Sequence, residues 1–155
     1  MEIRFARKED IDGINSLLYQ VLEVHHEGRP DLFYSGVKKY TDEEIFQILE
    51  NEMTPVFVAV EDGKVLGYAF CIFTEVKGSH ILKDVKTLYL DDLCVDAACR
   101  GKHVGRALYE HVRAFAKEEG CYNLTLNVWS CNESAMGFYE KMGLAPQKTV
   151  LEQLL

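Results

Sequence analysis

The chain is 155 residues long, enough for one domain that buries about 70% of its unfolded surface without disulfide or metal staples. A composition of 48% hydrophobic and 27% charged residues with three prolines is globular and excludes a disordered chain. Seventeen basic against twenty-five acidic side chains leave a net charge of −8, which argues against nucleic acid as a partner and suits a cationic acceptor.

No apolar run approaches the roughly 20 residues of a membrane span, and Met1 to Arg7 lacks the apolar segment of a signal peptide. The expectation is a cytoplasmic protein with no membrane partner. Its five scattered cysteines, Cys71, Cys94, Cys99, Cys121 and Cys131, read as reduced and mostly core residues. No repeat or linker interrupts the chain, so a single domain over residues 1–155 is expected.

In chain order, Ile3 and Phe5 alternate with polar residues as a short strand, and Ile11, Ile14, Leu17, Leu18, Val21 and Leu22 recur at helical spacing. The pattern breaks from Glu23 to Tyr40, which reads as a loop or broken helix. Thr41 to Glu44 is a capping box opening a helix that turns Ile45, Ile48, Leu49 and Met53 inward and stops at Pro55. Val56–Val60 and Val65–Thr74 flank Asp62-Gly63 as a hairpin, and Leu88–Val95 is an apolar strand interrupted by Asp91 and Asp92. Val104, Leu108, Val112 and Phe115 mark a helix ended by Gly120. Leu124, Leu126 and Val128 form a strand, Asn132 caps a short helix through Met142, and Val150–Leu155 is expected as a final strand. The order β-α-α-β-β-β-α-β-α-β, with one crossover from Leu88 to Val128, describes a mixed α+β sheet with helices on both faces.

The densest chemical signal is the run from Leu93, Cys94 and Val95 through Arg100, Gly101, Lys102, His103, Val104, Gly105 and Arg106. A buried strand passes through a glycine-containing basic turn into a helix, whose first amides lack partners and carry the positive end of the dipole. Such a turn suits a phosphate or pyrophosphate; taken alone it reads more simply as a strand-to-helix turn with solvated basic residues. It is neither a P-loop nor a dinucleotide fingerprint, because Lys102 is followed by His103 and no Gly-x-Gly-x-x-Gly run exists.

Asp92 to Asp96 followed by Arg100 to Leu108 resembles the acetyl-CoA-binding motif of the GCN5-related N-acetyltransferases. Leu126 to Ala135, continuing through Phe138-Tyr139 to Gly143, is similar to that family's next strand and helix. Ile3, Arg4, Ala6 and Asp10 and the Glu61–Gly67 hairpin extend the resemblance over essentially the whole chain. It implies a mostly antiparallel sheet with a splayed central strand pair, and acetyl-CoA as cosubstrate with no metal. The chain departs from the family pattern at His103, where a glycine is usual. A positive φ there costs a histidine about 1 kcal/mol, whereas a close approach requires the imidazole to point outward.

By the same resemblance, backbone groups of Leu93, Cys94 and Val95 pair with the pantetheine arm, one amide near Leu93 polarises the thioester carbonyl, and Tyr139 is the general acid. Asn132 caps the last helix and, with Ala135, borders the cofactor. Asp91 is the favoured base, with Asp92 as the other candidate, since adjacent strand residues point to opposite faces and at most one lines the cleft. Glu23, His25, Glu27, Asp31 and Tyr34 are candidates for recognising an amine. Cys94 raises the option of an acetyl-enzyme, disfavoured because no histidine–acid pair accompanies it. The reading is therefore an N-acetyltransferase acting on a small-molecule or peptide amine by direct transfer. A homodimer is allowed but not specified. The alternative is a catalytically idle acyl-CoA-binding regulatory domain; Tyr139 favours the enzyme and His103 the binder.

Overall fold

Asp62 and Gly63 both adopt positive φ, +50° and +76°, the conformation a two-residue hairpin turn demands. They join β2 (Val56–Glu61) to β3 (Lys64–Val76), and the computed structural model, which describes residues 1–155, builds its sheet outward from this hairpin. β1 (Glu2–Phe5) pairs antiparallel with β2, and β4 (Val85–Val95) pairs antiparallel with β3. β5 (Asn123–Leu126) closes the order β1-β2-β3-β4-β5 by pairing parallel with β4. The mixed, mostly antiparallel sheet with helices on both faces is thus present as expected.

Period-two alternation divides the strands between two cores. Phe57, Ala59, Ala69, Cys71, Leu88 and Leu90 face α3 (Val104–Glu118), which supplies Val104, Leu108, Val112 and Ala116. Val56, Val58, Tyr68, Phe70 and Cys94 face α1 (Ile11–Gly28) and α2 (Asp42–Leu49), which supply Ile14, Leu17, Leu18 and Ile45. Helix α4 (Glu133–Lys141) lays Phe138 and Tyr139 against the first core. Gly67 permits the close approach on that side: a Cβ there would lie 2.8 Å from the Cys94 carbonyl oxygen and 3.0 Å from Leu108.

Three sequence expectations are corrected. The first helix does not break at Glu23 but runs to Gly28. Helix α2 carries the expected Thr41–Glu44 capping box yet ends at Leu49, so Met53 lies beyond it and is exposed rather than turned inward. The expected final strand, Val150–Leu155, is irregular and exposed. Its leucines gain no sheet partner, and without a ladder an apolar hexapeptide has nothing to hold it extended.

Asp10 is the one buried charged residue. It receives both guanidinium nitrogens of Arg4 at 2.7 and 2.9 Å and the Arg7 amide at 2.8 Å, tying β1 to the start of α1. Burial pushes its carboxyl up, but the Arg4 fork and the Arg7 amide outweigh burial and hold it below the ordinary carboxylate value. A depressed pKa stabilises the fold above the unfolded value near 4, and this contribution is lost as pH falls through the folded pKa. Asp10→Asn is expected to cost about 3 kcal/mol at neutral pH, lowering the thermal midpoint by about 6–12 °C. In thermal melts the gap between variant and parent should shrink as pH falls below about 4.

Candidate active site

Strand β4 outlasts its neighbour. The parallel register runs from Thr87↔Asn123 to Leu90↔Leu126, where β5 ends, while β4 continues five residues further to Val95. From Asp91 to Val95 the edge of β4 that faces away from β3 therefore has no ladder partner. This is the splayed strand pair expected from the resemblance, and it opens a cleft lined by main-chain donors and acceptors.

At the same point β4 is bulged. Phe70 pairs with Asp92 and Cys71 with Leu90, which leaves Asp91 as the extra residue. The bulge overturns the strict alternation read from sequence: Asp91 and Asp92 both turn toward the α1/α2 side. Asp92 accepts a 2.8 Å hydrogen bond from the hydroxyl of fully buried Tyr68. Asp91 accepts from Lys39 Nζ at 2.6 Å and from the Tyr40 hydroxyl at 3.1 Å. Burial, reinforced by the Asp91 charge and opposed by the Tyr68 bond and by Lys39, pushes the Asp92 carboxyl up to about 6. Burial pushes Lys39 down, yet its bonds to Asp91 and Tyr40 win and hold the ammonium above its ordinary value.

Tyr139 packs against the α3-side core, on the opposite face of the sheet from Tyr68 and Phe70. Burial first, then the Asp92 charge, raises its phenol above the ordinary value, so it keeps its proton at neutral pH. No buried polar side-chain atom lacks a partner. The Tyr139 hydroxyl makes no hydrogen bond within the chain and is therefore open to solvent. Its ring packs edge-on against Phe138 at 5.1 Å and Tyr109 at 6.3 Å. Cys94 is turned into the α1 core, its thiol 3.5 Å from the Leu17 carbonyl and pushed by burial up to about 12.

Beyond Val95 the chain enters a 3₁₀ turn at Ala97–Cys99, capped by the Asp96 side chain on the Ala98 amide. Gly101 (φ +80°) and His103 (φ +62°, ψ 12°) then take left-handed conformations that swing the backbone into α3. The first helical bond is Ala107 N–H to the His103 carbonyl, so the amides of Gly101, His103, Val104, Gly105 and Arg106 are without partners. The His103 imidazole is exposed, as are Arg100 and Lys102, while Arg106 pairs with Glu110 at 2.8 Å. A methyl on Gly105 would come within 3.4 Å of Val95 and 3.7 Å of the Phe138 ring. Free amides, two unpaired cations and a glycine-lined approach suit a diphosphate.

On the far wall the Asn132 side chain accepts the Ala135 amide at 3.1 Å and caps α4. That bond occupies the Ala135 N–H, leaving its methyl as the group free to touch a cofactor. Asn127 donates to the Tyr89 hydroxyl at 3.1 Å, holding the segment after β5 against β4. Trp129 is exposed and meets Phe33 edge-on at 5.4 Å.

Of the five side chains expected to receive an amine, three are otherwise engaged, while Glu27 and Tyr34 make no side-chain hydrogen bond or ion pair. Glu23 holds Ser35 and the Gly36 amide, Asp31 pairs with Arg29, His25 stacks on Phe33, and Tyr34 is 84% exposed. Lys39 and Tyr40, which sequence reasoning did not select, reach the carboxylates instead. Their signal was faint: two residues before a capping box that docks helix α2 beside β3. No group of three or more His, Cys, Asp or Glu side chains is assembled to hold a metal, and no helix is long and apolar enough to cross a membrane.

A family model described as acetyltransferase (GNAT) family matches residues 18–144. The chain belongs to the GNAT acetyltransferases. It is 33% identical over 97 residues to a streptothricin acetyltransferase of Streptomyces lavendulae, a match covering 62% of this chain and 47% of that one. The chain thus spans about half the length of that relative. Among solved structures, a variant of the BH1408 protein from Bacillus halodurans superimposes with a TM-score of 0.96 at 29% identity, covering 100% of this chain and 99% of that one. An aminoglycoside N-acetyltransferase in complex with CoA shares the GNAT fold at a TM-score of 0.73 and 16% identity, with 99% and 98% covered.

Two outcomes follow from the backbone and the carboxylate pair. His103→Gly removes left-handed strain of about 1 kcal/mol and should raise the thermal midpoint by about 2–4 °C, whereas β-branched His103→Val should lower it. A carboxyl raised in the folded state costs stability as pH climbs from near 4 through about 6. Asp92→Asn keeps an acceptor oxygen for Tyr68 and removes the charge. Its midpoint should exceed the parent's by about 6–12 °C above pH 7, with the gain vanishing near pH 4.

Proposed function

We propose that this GNAT protein moves an acetyl group from acetyl-CoA to a primary amine of a small cationic acceptor by direct transfer. The observation that carries the reading is the unpaired β4 edge running into a loop with five unpartnered amides. The name of the streptothricin relative and the chain's net charge of −8 support a small cationic acceptor.

Acetyl-CoA supplies the activated thioester. The amides of Gly101 and His103 to Arg106, aided by Arg100 and Lys102, hold the diphosphate at the start of α3. Main-chain groups of Leu93, Cys94 and Val95 take the pantetheine arm as an extra strand, and Asn132 and Ala135 flank it. The Leu93 amide donates to the carbonyl oxygen that gains charge during attack. Asp91 accepts the proton the amine gives up, and burial, with a smaller contribution from the Asp92 charge, holds the Tyr139 phenol above its ordinary value. Tyr139 then delivers its proton to the departing sulfur. Direct transfer is supported by the thiol of Cys94, which is buried and protonated and so is no nucleophile.

Calorimetry with acetyl-CoA and CoA, followed by a thiol-release screen over amines, tests the assignment. Both nucleotides should bind, and Tyr139→Phe should lower kcat about 10²–10⁴-fold while leaving CoA affinity within about twofold. Binding without turnover on any amine assigns the chain to the idle binding class, and equal activity of Tyr139→Phe removes it as the acid.

A further inference from the structure

An amine already stands on the carboxylate assigned to receive the acceptor's proton. Five lysines form ion pairs, Lys38 with Asp42, Lys39 with Asp91, Lys64 with Asp96, Lys77 with Glu75 and Lys86 with Glu119. Only Lys39 reaches a carboxylate of β4. It does so at the bulge, two residues from the amide assigned to the thioester carbonyl, and where β4 has just lost β5. The Lys39 side chain remains 42% exposed and stems from the exposed segment ahead of α2, so its four-carbon arm has room to swing. Nothing else in that segment places a nitrogen nucleophile against Asp91: the Tyr40 hydroxyl is the other contact.

We propose that Lys39 is a modification site, an internal acceptor whose Nζ is acetylated in cis when no external amine fills the cleft. The inference rests on the transferase reading above. Its balance is that of any amine acetylation. Nζ enters as an ammonium and gives one proton through Asp91 to water. It then attacks the thioester carbonyl carbon, the carbon–sulfur bond breaks, and the electron pair leaves on the CoA sulfur. Tyr139 protonates that sulfur and is restored by the second proton lost from Nζ. The products are N-acetyl-Lys39, free CoA and one proton released to solvent. The strong pairing with Asp91 makes the internal amine a slow acceptor, and its neutralisation frees the Asp91 carboxylate for a cationic amine from solution.

The full-length protein is incubated with isotopically labelled acetyl-CoA and no added amine, and the label is followed by intact mass and peptide mapping. Label should appear on Lys39 about tenfold or more faster than on exposed Lys77, with a rate constant independent of protein concentration. Tyr139→Phe should slow Lys39 labelling at least about tenfold while leaving Lys77 unchanged, and Lys39→Arg should remove the mapped site alone. Labelling of Lys39 no faster than of Lys77, or a rate that rises with protein concentration, overturns the proposal. No label on Lys39 in a protein that binds acetyl-CoA by calorimetry and turns over an added amine overturns self-acetylation and leaves the transferase reading standing. Absence of acetyl-CoA affinity overturns both.

Discussion

Every main-chain amide and carbonyl in a sheet needs a partner, and β4 runs out of one after Leu90. β5 is only four residues long, so the second half of β4 presents a row of unsatisfied groups to a cleft rather than to another strand. The same strand then feeds a turn in which Gly101 and His103 take left-handed backbone conformations, leaving the first amides of α3 free as well. Two stretches of unpaired backbone thus lie close in sequence, the free edge of β4 from Asp91 to Val95 and the amides of Gly101 and His103 to Arg106, separated by the hydrogen-bonded turn at Asp96–Arg100. The rest of the molecule holds both stretches rigid, with two cores clamping β3 and β4 from opposite faces.

The bulge at Asp91 converts that scaffold into a charged site. By inserting one residue it puts two carboxylates side by side on one face, where the Asp91 charge adds to burial in raising the Asp92 carboxyl. Tyr68 from the core and Lys39 with Tyr40 from the segment before α2 divide the pair between them. The Asp92 charge extends through the sheet to Tyr139 and helps keep that phenol protonated. Tyr139 packs with the α3-side core, whereas Asp91 and Asp92 bond to groups of the α1/α2 side.

The segment between α1 and α2 is held by a set of side-chain contacts of its own. Arg29 bridges Asp31 and Glu152 and lies over the Trp129 ring, and Phe33 sits between His25 and Trp129. These contacts tie the segment to both the region after β5 and the irregular C-terminal residues. Three distant stretches of chain are thereby joined into one surface.

Local chemistry made much of the fold legible: the Thr41–Glu44 capping box, the Asp62-Gly63 turn, the amphipathic run from Val104 and the Asn132 cap each depend on residues within a few positions of one another. The turn from β4 into α3 was legible for the same reason. Its deviant residue, His103, adopts the positive φ and the outward imidazole that the sequence reading set out as separate possibilities. Long-range pairing was not legible. The helix through Glu23 to Gly28, the failure of Val150–Leu155 to join the sheet and the early end of α2 depend on what neighbours are available, not on local pattern. The facing of Asp91 and Asp92 was misjudged because period-two alternation presumes an unbroken register, and a bulge is a property of two strands together. By itself the sequence determined most of the elements, the family and the glycine-containing turn into α3, since these reside in local spacing. Only the tertiary structure decided which carboxylates share a face and that Lys39 meets Asp91 across 52 positions of chain, because that contact exists only after the sheet and α2 have docked.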